Sequence, residues 1–383
     1  MLVGLQINAG CARMCAAAEH DGLLSAMSRD PHYLRHSENS LKTHFPFVRL
    51  QHTGVLLAVA LLGGALPPAL ADDTAAPAKS LPEQIVDTLD VLSSGPHAGY
   101  RANHAKGIVV TGHFEPAKSA RTLTKAVQYQ GKSVPVVVRL SNTTGVPDIP
   151  DGNPNASPHG IAIRFELPKG VNTDIVSIST NGFPAATPEE FAGLLTAIST
   201  TRPDSPKPTP IEQFLGSHPK ALAFVKMPKP APISFANLTF YGVNAFKFTN
   251  RHGASHYGRY RIIPVAGDKR LTDDEAQAKA PNYLMDDLRT TLASQPVKFV
   301  LAVQLAKEGD PINDGTQVWP DDRPLVELGT LVLEKAVPDS AAEEKQLAFN
   351  PLLLPEGIAP SDDPVLRFRP IVYAVSYGRR VGK

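Results

Sequence analysis

The chain has 383 residues, enough for one large domain or two ordinary ones, and its 42% hydrophobic content fits a globular protein with a real core. Charges balance at +1, so nothing electrostatic argues for nucleic acid or an anionic membrane surface as a partner. Both cysteines, Cys11 and Cys15, lie at the very start, which excludes disulfides, thiolate metal sites and cysteine nucleophiles from everything after them; an oxidising compartment is permitted but not demanded.

Residues 1–53 are polar for most of their length, lack a clear period and carry further methionines at Met14 and Met27, so they read as a mis-assigned start or a disordered extension. Residues 54–71 are an apolar run preceded by Arg49 and His52, and they end in the small-x-small triplet Ala69-Leu70-Ala71. A basic flank, a short apolar core and such a triplet form a secretory signal peptide, with cleavage near Ala71 and a periplasmic or secreted product. Pro67, Pro68 and the short apolar length count against the alternative, a retained membrane anchor. Residues 72–82 read as a flexible linker and residues 83–383 as one folded domain.

Within that domain, Ile85, Leu89 and Leu92 have helical spacing, which predicts a short helix over 83–95. Eight β-rich segments follow: Ile108–Phe114, Val134–Leu140, Ile161–Phe165, Asp174–Ser177, Leu238–Phe248, Tyr257–Pro264, Val297–Leu305 and Leu325–Leu333. Long helices do not alternate with them, so the expected fold class is α+β: an eight-stranded, mainly antiparallel β-barrel with helices around it. Thr187-Pro188-Glu189-Glu190 marks a capped helix start, followed by Phe191, Leu194, Leu195 and Ile198 at helical spacing. Two more helices are expected, around 219–226 and over 271–293. The 36 prolines, concentrated in stretches such as 203–210, point to many turns and long ordered loops.

Common catalytic motifs are absent: no phosphate-binding glycine-rich loop, no H-E-x-x-H and no Gly-x-Ser-x-Gly elbow. The paired Asp362 and Asp363 sit beside Pro364, where a solvated turn explains them. What remains is a polar group around His104, with Arg101, Asn103 and Lys106 beside it and a strand directly after it. A histidine there, pointing into a barrel, could act as an acid–base group, since its ordinary pKa is near 6.5. Ser141, at the end of the second strand, could accept a hydrogen bond from its Nδ1, or simply cap a turn. The segment by itself reads equally as a surface histidine in a basic loop. Arg139 lies in an apolar strand and needs solvent or a carboxylate partner. Near the C-terminus, Arg369 precedes Tyr373 by four residues, one helical turn, so the guanidinium can lie beside the phenol. A fixed cation favours a phenolate, which can ligate a hard metal such as ferric iron. The same stretch also reads as a terminal helix with a solvated basic end.

Taken together, these segments resemble the haem catalases, in particular the shorter catalase-related peroxidases. Arg101-Ala-Asn-His104-Ala-Lys-Gly107 resembles the distal-histidine motif, and Val138-Arg139-Leu140-Ser141 the strand behind it. His159-Gly-Ile-Ala-Ile-Arg-Phe165, Thr316-Gln-Val-Trp319-Pro320, Phe349-Asn-Pro351 and the Arg369/Tyr373 pair follow in the family's order over residues 97–383. The resemblance implies a haem b cofactor with Tyr373 as axial iron ligand, held as phenolate by Arg369. It implies His104 as the catalytic acid–base group and Ser141 as the residue orienting it. Arg101, Arg139 and Arg380 would contact the haem propionates, and Phe183 and Phe191 would lie over the distal face. The family's distal asparagine aligns with Ile178, with Ser179 and Asn181 nearby, which implies peroxidase turnover with weak catalase activity at most. A true catalase, or a non-catalytic haem-binding protein of the same fold, is the alternative. The chain stops three residues after Arg380, so the helical C-terminal domain of full-length catalases is expected to be missing and the haem channel to be more open. The implied partners are a peroxide and a small organic electron donor, with no nucleic acid and no membrane after signal cleavage, and with a monomer or dimer favoured over a tetramer.

Overall fold

The structure, a computed structural model, describes residues 78–382. The extension, the signal peptide and most of the linker expected from the sequence lie outside the described residues.

Among the described residues, ten strands form one antiparallel sheet: β1 (Gly107–Pro116), β2 (Val134–Ser141), β3 (Gly160–Glu166), β4 (Asn172–Ile178), β5 (Phe240–Tyr241), β6 (Phe246–Thr249), β7 (Ser255–Pro264), β8 (Val297–Leu305), β9 (Leu325–Ala336) and β10 (Ile358–Pro360). Eight of them close on themselves. The ring runs β1-β2-β3-β4-β5-β7-β8-β9 and returns to β1, so each of these strands has a partner on both sides. Closure removes the unpaired edges that would otherwise seek other chains. The two remaining strands, β6 and β10, extend the sheet from the first half of β7.

Strand β2 shows why this sequence makes a barrel. Its residues alternate between Val136, Val138 and Leu140, all fully buried, and Val137, Arg139 and Ser141 on the other face. The first set joins Phe114, Phe165 and Phe299 in one apolar interior. Phe114 and Phe165 meet edge to face with ring centroids 5.3 Å apart. The second set faces outward, toward the helices.

Among the described residues, nine helices surround the barrel: α1 (Leu81–Leu92), α2 (Ala120–Leu123), α3 (Pro188–Thr200), α4 (Pro210–Ser217), α5 (Pro219–Lys226), α6 (Asp273–Gln277), α7 (Tyr283–Ser294), α8 (Ser340–Gln346) and α9 (Pro364–Val381). Helix α3 starts where its signature puts it, with Thr187 Oγ1 accepting the Glu190 N–H at 3.1 Å. The same chemistry at Thr209-Pro210-Ile211-Glu212 starts α4, a helix absent from the sequence reading. Helix α1 begins at Leu81, inside the expected linker, because the Glu83 carboxylate accepts the Ser80 backbone N–H at 2.8 Å. The helix expected over 271–293 is two, α6 and α7, divided around Pro281, which has no N–H to continue the ladder.

The expected strand Leu238–Phe248 also divides. Strand β5 pairs with the second half of β7, Phe240 opposite Ile262, whereas β6 pairs with the first half, Phe246 opposite Gly258. The four residues between them leave the ladder and carry Asn244 away from the sheet. Helix α9 packs against α1, α3 and α8 on the outside of the barrel.

Candidate active site on the outer barrel face

One row of paired residues crosses five strands at one end of the barrel: Gly107, Ser141, Gly160, Ile178 and Tyr241. Residues directly opposite one another in an antiparallel sheet project to the same side. Here that side is the outward one, shared with Arg139. His104, just ahead of β1, sets its Nδ1 3.2 Å from Ser141 Oγ. The imidazole therefore lies on the outer face of the sheet and not inside the barrel, as the sequence reading had it. Strand alternation decides this, because the inward positions are filled by Leu140 and Ile161.

Gly160 makes room for that imidazole. A Cβ at this position would stand 2.9 Å from Ser141 Oγ and 3.0 Å from the His104 ring. The His104 backbone is left-handed, with φ of 56°, a conformation that side chains beyond glycine, asparagine and aspartate rarely adopt. Burial, and next the Arg139 charge, push the imidazole pKa down to about 4. His104 is thus neutral at pH 7 and available as a base.

Behind it lies a fully buried chain of polar groups. His159 Nδ1 is 3.1 Å from Asn142 Oδ1, Asn142 Nδ2 donates to Asp151 at 2.7 Å, and Lys106 Nζ is 2.8 Å from the same carboxylate. Ser179 and Asn181 turn away from His104. Ser179 Oγ accepts the His159 N–H at 2.9 Å, and Asn181 Oδ1 accepts from Arg261 at 3.2 Å. Ile178 is left on the cavity wall.

Helix α9 supplies the facing wall. Arg369 Nε donates to the Tyr373 Oη at 3.0 Å, as one helical turn of spacing allows. Arg369 Nη1 donates to Asn244 Oδ1 at 2.7 Å, and Asn244 Nδ2 donates to Asp363 Oδ2 at 2.7 Å. The other Asp363 oxygen caps α9 by accepting the N–H groups of Val365 at 2.9 Å and Leu366 at 3.1 Å. Asp363 is fully buried, and burial raises its pKa. It is not the solvated turn residue expected beside Pro364; only Asp362 is exposed. The chain Asp363–Asn244–Arg369–Tyr373 fixes the phenol from behind.

Between these walls lies a cleft holding about 1520 Å³ of empty space, its open mouth included. All nine residues singled out in the sequence line it: His104, Ser141, Arg101, Arg139, Phe183, Phe191, Arg369, Tyr373 and Arg380. Phe183 and Phe191 meet with centroids 5.2 Å apart. The three arginines converge at one end. Arg101 and Arg380 both donate to the Leu347 carbonyl, at 2.5 and 3.0 Å, and Arg139 pairs with Glu344 at 2.6 Å. Arg101 reaches the same Glu344 oxygen at 3.5 Å. Burial and mutual repulsion hold Arg101 and Arg380 below the usual guanidinium range. Three cations against one carboxylate leave an excess of positive charge facing the cleft, a cradle for a dianionic planar group. An apolar slot, this cradle and a phenol oxygen on the facing wall together fit haem.

Gly160, Asn244, Asp363 and Glu344 are site residues that the sequence reading missed. Asn244 lies inside what reads as one continuous strand, and Asp363 beside Pro364 reads as a solvated turn; neither carries a signal of its role. Glu344 carried none, since it stands 205 residues from the arginine it holds.

The catalase family profile matches residues 97–383. The chain is 36% identical over 305 residues to a catalase-related peroxidase of Synechococcus elongatus, covering 78% of this chain and 88% of that protein. It is 34% identical over 306 residues to a catalase-related peroxidase of Mycolicibacterium paratuberculosis, covering 79% and 95%. Among solved structures, a fungal catalase superposes with a TM-score of 0.65 at 24% identity, over 75% of this chain and 60% of that one. Catalase A of Saccharomyces cerevisiae gives 0.65 at 23%, over 74% and 62%. The chain thus spans about 60% of the length of the solved catalase it matches in that first comparison.

Proposed function

The chain belongs to the catalase family and is a haem-dependent peroxidase of that fold; from that premise we propose that His104 is its acid–base group and Tyr373 its axial ligand to haem b. The observation that carries this reading is one cleft with a neutral, oriented imidazole on the sheet wall and an arginine-held phenol on the helix wall. Haem, when bound, would supply the iron at which the peroxide O–O bond is cleaved and would store the oxidising equivalents taken from the peroxide until a donor consumes them.

The protein's own residues do the rest. With Nδ1 donating to Ser141 Oγ, the His104 Nε2 is free to take the proton from the near peroxide oxygen. It then delivers that proton to the far oxygen, so that water leaves. Arg369, donating to Tyr373 Oη, orients the phenol oxygen and places a positive charge beside it. Arg101 and Arg380, with Arg139 beside them, would hold the haem carboxylates, and Phe183 and Phe191 would lie against the ring. Ile178 offers no hydrogen bond to a second peroxide, which favours reduction by a small organic donor over dismutation. We further propose a monomer or dimer, exported and cleaved near Ala71; Asp72 as the first residue of the mature protein is the expected result of N-terminal sequencing.

The test is an absorption spectrum of the purified protein, then addition of peroxide with and without a phenolic donor. Donor oxidation that exceeds oxygen evolution is expected; vigorous oxygen release with little donor oxidation would mean a true catalase. Tyr373→Phe is expected to lose haem or its ferric ligand spectrum, and an unchanged spectrum would remove Tyr373 as the ligand.

A further inference from the structure

The arginine end of the cleft contains a carboxylate that a haem-binding cradle does not require. Glu344 is nearly buried, and its side chain retains 12% of its exposure beside an Arg139 that retains 4%. One Glu344 oxygen takes both Arg139 Nε, at 2.7 Å, and Arg139 Nη2, at 2.6 Å. The same Nη2 donates to the backbone carbonyls of His104, at 2.8 Å, and Ala105, at 3.3 Å. Those carbonyls belong to the turn that holds His104 at φ of 56°.

Two further features fix this arrangement. Ser340 Oγ accepts the Val109 N–H at 2.7 Å and lies 3.3 Å from the other Glu344 oxygen, so α8 is pinned to β1 with its carboxylate aimed at Arg139. Gly107 leaves the guanidinium its path, since a Cβ there would stand 2.3 Å from Arg139 Nη2.

We propose that Glu344 is a positioning residue: it locks the Arg139 guanidinium onto the His104 carbonyl, and so keeps the left-handed turn that aims the catalytic imidazole into the cleft. Without the carboxylate, Arg139 is a buried cation free to swing toward the haem carboxylates, and the turn loses its clamp. Two donors of Arg139 are committed to Glu344 and the turn, so Arg101 and Arg380 carry most of the carboxylate binding. The inference deepens the peroxidase reading, and only its haem-loaded arm rests on that reading.

The experiment compares the unaltered protein with Glu344→Gln and Gly107→Ala. The second variant displaces Arg139 without touching Glu344, while also bringing a Cβ to 2.8 Å from the Leu140 carbonyl, and it decides the matter if the first does not fold. The first readout is the His104 imidazole resonances in haem-free protein with labelled histidine, which a loss of stability elsewhere would not move. The second is cyanide association with haem-loaded protein, a step in which HCN gives its proton to a base. Both variants are expected to shift the His104 resonances and to slow cyanide association between about ten- and a hundredfold, as a displaced proton acceptor does. Haem affinity is expected to stay within about threefold, under the 1.4 kcal/mol that marks a factor of ten. Unshifted His104 resonances in both variants would overturn the proposal. So would a loss of haem affinity with unchanged cyanide kinetics, which would place Glu344 in the carboxylate cradle instead.

Discussion

His104 is neutral because of its surroundings. Burial and the Arg139 charge set its pKa at about 4, so it is already neutral across the physiological range. Peroxidase kcat/KM is therefore expected to stay level from neutral pH down to about 5 and to fall only as pH drops through about 4. A midpoint near the ordinary 6.5 in a pH–rate profile would show that another group limits the rate. Gly160 gives the matching steric prediction. Its substitution by alanine puts a methyl 3.0 Å from the imidazole. Gly160→Ala should leave the barrel folded and lower kcat/KM by roughly a hundredfold, the cost of misplacing a reacting group by about 1 Å; a near-native rate would show that the ring shifts freely. Arg369 and Tyr373 stand one helical turn apart and His104 directly precedes a strand, patterns that are local, and the family resemblance gave them their roles. Gly160 was not singled out, since nothing in a run of strand residues says what faces it across two ladders.

Helix α9 shows how one element carries both stability and function. Asp363 caps it, and the same carboxylate holds Asn244, which holds Arg369, which holds Tyr373. Asp363→Ala removes the cap, at about 1–2 kcal/mol, and leaves the Asn244 amide short of a partner, at a further ~1–3 kcal/mol. The expected outcome is a lowered urea midpoint together with weaker haem retention. A variant that loses stability but holds haem normally would separate the cap from the phenol. The helix is legible from the Arg369–Tyr373 spacing, whereas Asp363, its buried N-cap, reads as a solvated turn residue. Sequence shows an aspartate beside a proline; it does not show that Asn244, 119 residues away, will cover it. The break between β5 and β6 was hidden for the same reason, because an apolar, aromatic run looks continuous until its pairing partners are known.

At the scale of the whole molecule, the closed barrel makes an apolar interior with a buried polar network at one end. His159 there is fully buried, and burial pushes its pKa down to about 3. In the unfolded chain it titrates near 6.5, so below that pH the unfolded state binds the extra proton. Stability is therefore full above about pH 6.5 and falls as pH drops toward 3, by up to about 1.4 kcal/mol per unit from this group. The urea midpoint should drop between pH 7.5 and 5, and His159→Gln should reduce that drop; an equal drop in the variant would assign the acid sensitivity to other groups. The resemblance to the haem catalases named the nine residues that share one cleft; alternation along the strands, the turn signals and the helix caps determined, from the sequence alone, an antiparallel barrel with helices. Those signals are local, each set by the geometry of a few consecutive residues. Tertiary structure alone decided that the cleft lies outside the barrel, that Asp363 is buried, and that Glu344 stands against Arg139. Each of these depends on closure of the ring and docking of α8 and α9, which bring together residues that share no local pattern.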